Sequence, residues 1–230
     1  MFQTIVKIFL LVIITAAITP FIRELAFVLG AVDNPNARRI NKKPMPTIGG
    51  LAIFVAFNIG EFVLLRKDFP THELFSVLLA SSVIILTGLI DDILELKPRQ
   101  KMFGIFVASL VVYFLAGIKV RELSLPFLGH IQLGWWSFPL TIFWILALTN
   151  AVNLIDGLDG LATGVTLISL VTMGIVGFFF LKSWQHYVPI MCIMLAACLL
   201  GFLPYNFHPA KIFLGDTGAL YIGFMISVLS

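Results

Sequence analysis

The chain is dominated by apolar runs that are each about as long as a lipid bilayer is thick. Hydrophobic residues make up 60% of its 230 residues and charged residues only 12%, a balance that soluble domains do not show. A helix needs roughly 20 mostly apolar residues to cross the hydrocarbon core, and open strands cannot cross because their backbone polar groups stay unpaired. The sequence therefore predicts an all-α, polytopic membrane helix bundle forming one transmembrane domain over 1–230.

Seven complete spans and a shortened eighth are predicted from these runs. The last apolar run stops at Ser230 without a flanking charge or an interfacial aromatic residue, so we expect a carboxyl-terminal truncation. The segment 119–135 alternates in polarity and ends in two tryptophans, which predicts a small hairpin at the outer face. The predicted spans are 4–22, 48–65, 74–90, 102–118, 136–152, 161–181, 187–203 and one that begins near 218.

Span parity places four polar loops on the same side of the membrane, because the odd-numbered spans all end there. This side carries the dense basic cluster "ARRINKK" at 37–43. By the positive-inside rule it is cytoplasmic, and the amino terminus lies outside. Nearly every aspartate of the chain lies in these loops, which are "AVDNPNARRINKKPMPT", "DDILELKPRQK", "NLIDGLDG" and "YNFHPAKIFLGDTG".

Adjacent carboxylates end the third predicted span. Asp91 and Asp92 repel each other at a membrane boundary unless a cation offsets their charge. Mg²⁺ suits such a site, since it binds one or two carboxylates and completes its shell with water and phosphate oxygens. Lys97, Arg99 and Lys101 follow in what we predict to be one short loop, a combination that fits a metal-bridged diphosphate. The alternative is a solvated loop with ordinary surface charges.

The loop after the fifth span combines oxygen-bearing side chains with glycines. On a helix, Asn153, Asp156 and Asp159 would share a face because they are spaced at steps of three. An amide oxygen and two carboxylates can serve a metal, a nucleophile or a base edge, and the alternative is a polar helix cap or turn. Asp216, placed just before span eight, is by itself typical of a helix N-cap. With the other loops on the same side, it supplies a metal ligand from a third loop.

The basic stretch before span two has two interpretations that are compatible. Its cationic side chains, Arg38, Arg39, Lys42 and Lys43, are typical of a topology determinant. Together with Thr47 they could also capture an anionic lipid head group or a nucleotide phosphate. His208 lies in the last of the four loops, and we interpret it as structural or as supporting a neighbouring residue.

Four ordered motifs, "DNPNARRINKKPMPTIGG", "GLIDDILELKPRQK", "NAVNLIDGLDGLATG" and "PAKIFLGDTGALYIGF", resemble those of the polyprenyl-phosphate N-acetylhexosamine 1-phosphate transferases, glycosyltransferase family 4. The resemblance covers essentially the whole chain. It is nearest to the undecaprenyl-phosphate N-acetylglucosamine 1-phosphate transferase branch, which primes teichoic acid and related cell-envelope polymers. It implies a multi-pass enzyme of the cytoplasmic membrane that transfers a sugar 1-phosphate from a UDP-N-acetylhexosamine to undecaprenyl phosphate and releases UMP.

The resemblance also implies roles for single residues. Asn153 and Asp216 would bind Mg²⁺, for which Mn²⁺ could substitute. Asp91 and Asp92 would lie against the metal and diphosphate, and Lys101 would contact the diphosphate. Asp159 would lie beside the uracil, while Asp156 matches an essential acidic position whose role stays open. Arg38, Arg39, Lys42, Lys43 and Thr47 would line the lipid-phosphate or nucleotide side.

Two departures from the family pattern stand out. Glu95 occupies an acidic position where aspartate is commoner, and the family's histidine-rich loop would fall beyond Ser230. The alternatives are therefore the phospho-N-acetylmuramoyl-pentapeptide transferase branch, an inactive lipid-binding fragment and a transporter-like protein. The expected partners are undecaprenyl phosphate, a UDP-N-acetylhexosamine and the lipid bilayer, with no nucleic acid, and a homodimer is left open.

Overall fold

The computed structural model describes residues 2–33, 44–64, 71–125, 129–181 and 187–230. Within these ranges the chain forms eight α-helices. Six are long and apolar enough to cross a membrane, judged by length and composition, and two further apolar helices are shorter. The protein is thus a multi-pass membrane protein. The helices are α1 (Phe2–Leu29), α2 (Gly49–Ile59), α3 (Thr71–Leu94), α4 (Pro98–Val111), α5 (Ser137–Ile155), α6 (Leu161–Phe180), α7 (Tyr187–Asn206) and α8 (Gly215–Leu229).

Two short antiparallel ladders lie at the ends of the bundle. At one end, β1 (Val32–Asp33) pairs with β2 (Met45–Pro46). At the other, β3 (Glu122–Leu125) pairs with β4 (Gly129–Gln132), so the hairpin predicted near 119–135 is confirmed. A short 3₁₀ turn, Gly134–Trp136, follows it with both tryptophans exposed.

Two helices extend with π-helical segments that lengthen the spans. Gly60–Leu64 continues α2, and Val112–Ala116 continues α4. With these additions the second and fourth helices reach close to the ends expected from the apolar runs at 48–65 and 102–118. Every backbone group in lipid must be paired internally, which favours continuing a helix with wider hydrogen bonds over ending it early.

The predicted end of the first span, at residue 22, is wrong. Helix α1 continues through Pro20 to Leu29, so Arg23 lies inside the helix. A proline removes one helical hydrogen bond but leaves the remaining backbone groups in need of partners. Continuing the helix satisfies them.

Two other boundaries differ in ways that move site residues onto helices. Helix α4 begins at Pro98, so Lys101 and Arg99 lie in its first turn and not in a loop. Proline suits this first helical position because its missing N–H needs no partner there. Helix α8 begins at Gly215, which places Asp216 in its first turn and not before it.

Helix α8 lies at the centre of the bundle and packs against α2, α3 and α5. Nearly all of its side chains are buried, as expected of a helix that is apolar on every face. Small residues let the backbones approach: a Cβ on Gly50 of α2 would lie 2.0 Å from the Cα of Gly218. This contact brings the amino-terminal ends of α2 and α8 together.

Candidate active site

A cavity of about 950 Å³ opens at the end of the bundle where α3, α5 and α7 finish and α4, α6 and α8 begin. Each of the four polar loops grouped by parity contributes to its wall. Among the described residues that line it, carboxylates far outnumber cations, with Lys101 and His208 as the basic side chains. The acidic residues are Asp33, Asp91, Asp92, Glu95, Asp156, Asp159 and Asp216.

One part of this cavity, here called the acidic end, consists of Asp91, Asp92, Lys101, Asn153 and Asp216. The Lys101 Nζ lies 2.5 Å from Asp91 Oδ2 and 2.8 Å from Asp216 Oδ1. The Asn153 amide donates to the same oxygen of Asp216. The structure thus brings together, within hydrogen-bonding distance, residues that are up to 125 positions apart in the sequence.

The two adjacent aspartates at the end of α3 point to different partners. Asp91 accepts the Leu96 N–H through Oδ1 at 2.7 Å and pairs with Lys101 through Oδ2. Asp92 accepts the backbone N–H groups of Asp216 and Thr217, at 3.0 and 2.9 Å, and the Thr217 hydroxyl at 2.6 Å. Successive helical residues point about 100° apart. The Asp91 carboxylate therefore lies at the Lys101 ammonium, and the Asp92 carboxylate lies at the start of α8.

The short connection from α3 to α4 orients Lys101. The Lys97 N–H donates to the Gln100 side chain at 3.0 Å, and Pro98 starts the helix. The Asp91 carboxylate holds the Leu96 N–H and so fixes the turn that leads into α4. Glu95 has a positive φ of 51° in this turn. Lys101 is therefore placed one helical turn from a connection that Asp91 itself stabilises.

The second part of the cavity is here called the loop end and consists of Asp159, Asn206 and His208, together with Ala210, which contacts Asp159 from outside the lining. Asp159 Oδ2 lies 3.0 Å from the Nδ1 of His208 and accepts the Ala210 N–H at 3.1 Å. These bonds join the connection between α5 and α6 to that between α7 and α8. The imidazole is largely exposed at the cavity rim.

The expectation that Asn153, Asp156 and Asp159 share one helical face is wrong. Helix α5 ends at Ile155, and Asp156 is its C-cap. Gly160 has a φ of +71°, a conformation that glycine adopts at little cost, and a Cβ there would come within 3.3 Å of Phe207. The chain therefore turns between the residues, so Asn153 faces the acidic end and Asp159 the loop end.

The loop end is supported by a buried hydrogen-bond chain. The Thr163 hydroxyl donates to Asn206 Oδ1 at 2.7 Å, and the Asn206 amide donates to the Ile212 carbonyl at 3.2 Å. Asn206, His208 and Phe213 line the cavity but were not among the predicted site residues. No motif spacing links 159 to 208, since the contact depends on how α6 packs against α7.

Asp156 lines the cavity, and its carboxylate forms no hydrogen bond or ion pair within the described part of the chain. Burial and, secondarily, the Asp216 carboxylate raise the pKa of Asp156 to about 7. A group that loses its proton near neutral pH and faces a cavity can respond to a bound cation. The residue whose role the sequence left open thus has a carboxylate without a partner among the described residues.

Of the basic stretch and Thr47, which were predicted to line the lipid-phosphate or nucleotide side, the structure describes only Thr47. Arg38, Arg39, Lys42 and Lys43 lie outside the described residues. Thr47 lines the cavity, where its hydroxyl donates to the Ala31 carbonyl at 3.0 Å. Its hydroxyl therefore supports the backbone next to the β1–β2 ladder, while its carbonyl packs against Gly215.

The acidic end has the donor chemistry for a magnesium ion. Its carboxylate and amide oxygens are hard ligands of the kind Mg²⁺ prefers. Among the described residues no three histidine, cysteine, aspartate or glutamate side chains are grouped as metal ligands. Mg²⁺ commonly takes one or two carboxylates and keeps waters and phosphate oxygens, so Asp216 and Asn153 fit as its protein ligands. Lys101 supplies positive charge to the same Asp216 oxygen.

Comparison with known proteins decides the family. The profile of glycosyl transferase family 4 matches residues 74–230. The chain belongs to glycosyl transferase family 4. It is 41% identical over 214 residues to the probable undecaprenyl-phosphate N-acetylglucosaminyl 1-phosphate transferase of Bacillus subtilis, covering 93% of this chain and 58% of that protein.

Two further relatives are named for different transferase activities. The decaprenyl-phosphate N-acetylglucosaminephosphotransferase of Mycolicibacterium smegmatis is 35% identical over 95% of this chain and 57% of its own length. A phospho-N-acetylmuramoyl-pentapeptide-transferase of Clostridium botulinum is 36% identical over 86% and 62%. This family 4 chain thus spans about three fifths of the length of these relatives.

Proposed function

We propose that the protein transfers N-acetylglucosamine 1-phosphate, or a related N-acetylhexosamine 1-phosphate, from a UDP-sugar to undecaprenyl phosphate. A phosphate oxygen of the lipid attacks the β-phosphorus of the UDP-sugar. The bond to the α-phosphate oxygen breaks, which gives the lipid diphosphate-sugar and UMP. The reaction would be the first membrane step of a cell-envelope polysaccharide such as teichoic acid, on the cytoplasmic face.

The observation that supports this proposal most is the charge of the cavity. Seven of the described residues that line it are acidic, whereas one is a lysine. Such a surface repels a diphosphate unless cations bind with it. So many carboxylates at one end of a membrane helix bundle favour binding of an anion that carries a metal ion over binding of an anion without a metal.

The residues of the acidic end have distinct proposed roles. Asn153 and Asp216 would hold Mg²⁺, or Mn²⁺ in its place, and this ion would neutralise charge on the diphosphate. Lys101 would donate to a phosphate oxygen, since its ammonium already lies between two carboxylates of the cavity. Asp91 would orient Lys101 and lie against the diphosphate. Asp156 would keep its carboxylate available for the metal or for orienting the lipid phosphate.

The loop end would receive the nucleotide. Asp159 would accept a hydrogen bond from the uracil, with His208 and Ala210 fixing the carboxylate. The basic stretch at 38–43 and Thr47 would line the lipid-phosphate or nucleotide side. The distance between the metal ligands and the base-binding residue would then be spanned by ribose and diphosphate.

A direct assay tests the proposal. The full-length protein in detergent is incubated with Mg²⁺, undecaprenyl phosphate and radiolabelled UDP-N-acetylglucosamine, and labelled lipid and UMP are quantified. We expect both products in equal amounts, with their formation lost on chelation and restored by Mg²⁺ or Mn²⁺. Absence of labelled lipid under these conditions, or products that persist in EDTA, would refute the reaction or its metal dependence.

The pentapeptide-transferase branch is the second candidate, because two relatives of that name from Clostridium botulinum are each 36% identical to this chain. The same assay with UDP-N-acetylmuramoyl-pentapeptide separates the branches. A higher kcat/KM for that donor than for UDP-N-acetylglucosamine would reassign the substrate and leave the proposed chemistry unchanged.

A further inference from the structure

Helix α8 starts without a cap from its own sequence. Its N-cap residue, Leu214, makes no side-chain hydrogen bond to the first turn. The first N–H groups of a helix need acceptors, especially where water is scarce. In this structure the acceptor is Asp92, which belongs to α3 and lies 124 residues before Asp216.

Asp92 uses both carboxylate oxygens for this purpose. Oδ1 accepts the Asp216 N–H, and Oδ2 accepts both the N–H and the hydroxyl of Thr217. A carboxylate at the amino-terminal end of a helix is also favoured by the helix dipole. The arrangement is therefore an N-cap supplied by a different helix, with three donors converging on one side chain.

Backbone packing fixes α3 and α8 at the same point. A Cβ on Gly88, one turn before Asp92, would lie 2.5 Å from the Cα of Thr217. Residues four apart on a helix lie on one face, so Gly88 and Asp92 form one continuous contact with the first turn of α8. At Gly88 the backbones of the two helices are therefore in direct contact.

The contact between Asp92 and the first turn of α8 fixes the backbone of Asp216. Its backbone N–H is held by Asp92, while its side chain extends to Lys101 and Asn153. Fixing the backbone at the Cα limits the positions that the carboxylate can reach. The adjacent Asp91 has a different environment, because its oxygens bind Leu96 and Lys101.

We propose that Asp92 is a positioning residue, which caps α8 and thereby fixes the Asp216 carboxylate, and that it does not act on the substrate itself. The inference rests on the proposed function for its kinetic consequence only. Thr217 shares the contact although it is fully buried and does not line the cavity. Its hydroxyl therefore reports on the cap without touching the substrate.

The kinetic test compares Asp92→Asn, Thr217→Val and the double variant. Misplacing a reacting group by about 1 Å costs on the order of 100-fold in rate, so we expect kcat to fall about 100-fold in Asp92→Asn. For Thr217→Val we expect about 10-fold, with the KM for the UDP-sugar within about twofold in each. Because both changes break one contact, the double variant should resemble Asp92→Asn and not show the product of the two effects.

A matched control removes the same hydroxyl elsewhere. Thr166 is also buried, and its hydroxyl donates to the helix carbonyls of Ala162 and Thr163. Thr166→Val should leave kcat unchanged within about twofold. A Thr217→Val variant with wild-type kinetics beside an inactive Asp92→Asn would overturn the inference and assign Asp92 to the substrate. Effects that multiply in the double variant would also overturn it.

Two measurements do not depend on turnover. Hydrogen exchange of a peptide spanning 213–220 should accelerate at the Asp216 and Thr217 amides in both single variants, because these amides lose their acceptor or its orientation. Binding of Mn²⁺ alone, followed by electron paramagnetic resonance, should weaken about 10-fold in both. If the wild-type protein proves inactive with every donor, the proposed function fails, whereas these measurements still decide the inference. Unchanged exchange in both variants refutes it.

Discussion

The two ends of the cavity are built in different ways. At the acidic end, side chains project from the terminal turns of α3, α4, α5 and α8, and each helix is fixed by packing of the bundle. At the loop end, Asp159, His208 and Ala210 come from connections that are joined by their own hydrogen bonds. Residues on rigid helices are placed more closely than residues on loops. We therefore expect chemistry at the acidic end and adaptable binding at the loop end.

The largest expected effect of a single substitution is at Asp216. In Asp216→Ala the Lys101 ammonium and the Asn153 amide both lose their shared acceptor. The proposed metal also loses its carboxylate ligand. We expect kcat to fall at least about 1000-fold, measured as labelled lipid formed at saturating substrates.

The control for Asp216→Ala removes a carboxylate at the opposite end of the bundle. Glu122 lies on the exposed hairpin strand β3, where its carboxylate accepts a hydrogen bond from the Gln132 amide. In Glu122→Gln, activity should remain within about twofold of the wild type. Substantial product from Asp216→Ala would contradict the assignment of chemistry to the acidic end.

Lys101→Met tests the positive charge at the same end. The substitution leaves the side chains of Asp91 and Asp216 without their shared cation, so the cavity becomes more acidic and binds a diphosphate less well. We expect kcat/KM to fall about 100-fold, and Lys101→Arg to recover part of this loss. If kcat/KM stays unchanged while only thermal stability drops, Lys101 is a structural ion-pair partner.

The acidic end should also be sensitive to pH through Asp156. Burial, with a smaller contribution from Asp216, raises the pKa of Asp156 to about 7. A raised pKa means that the carboxyl is neutral below that pH and ionised above it, so a function that needs the anion is lost on acidification. About half of the carboxyl groups are ionised at pH 7 and about a tenth at pH 6, so we expect kcat/KM to fall about fivefold between these pH values.

The Asp156→Asn variant tests whether Asp156 causes this dependence of kcat/KM on pH. Its kcat/KM should be low and should fall less between pH 7 and pH 6 than that of the wild type, since one titrating group is gone. A variant that retains the wild-type acid limb would assign that limb to another group, and would remove Asp156 from the chemistry of the acidic end.

At the loop end we expect a binding effect. His208→Ala removes one of the two contacts that orient the Asp159 carboxylate and leaves the Ala210 N–H in place. Losing one such hydrogen bond costs about 1 kcal/mol. The KM for the UDP-sugar should therefore rise about fivefold while kcat stays within about twofold. A fall in kcat with unchanged KM would contradict the division between the two ends.

The sequence predicted this division only in part. The helical bundle, the hairpin near 119–135 and the grouping of four loops at one cavity follow from composition and parity, because bilayer thickness and backbone pairing leave few alternatives. Helix ends were less predictable: the first span was expected to end at 22, shortly after Pro20, whereas the apolar surroundings favour continuing α1 to Leu29. Each site residue of the acidic end belongs to a short motif that is contained within one predicted loop, so the sequence alone could identify it. Asp91 and Asp92 have different partners because of the way α3 packs against α8. That packing cannot be inferred from the local sequence around the two aspartates.

The loop end was the harder part to predict for a physical reason. Asp159 and His208 are 49 residues apart, and each alone is an ordinary polar residue of a turn. Their contact arises because α6 packs along α7 and Gly160 lets the chain approach Phe207. A pairing that depends on tertiary packing has no signature in local spacing.

The smallest expected effect tests whether the loop end needs its buried support. Thr163→Val removes the hydroxyl that donates to Asn206 Oδ1, while the Asn206 amide keeps its bond to the Ile212 carbonyl. The free energy of unfolding should fall by about 1 kcal/mol, measured by thermal unfolding in detergent, with the KM for the UDP-sugar raised no more than about twofold. Thr166→Val, two residues beyond the first turn of α6, is the matched control because its hydroxyl bonds only to its own helix. If Thr163→Val instead abolished activity, the loop end would depend on its buried support as strictly as the acidic end depends on Asp216, and the contrast between rigid chemistry and adaptable binding would be lost.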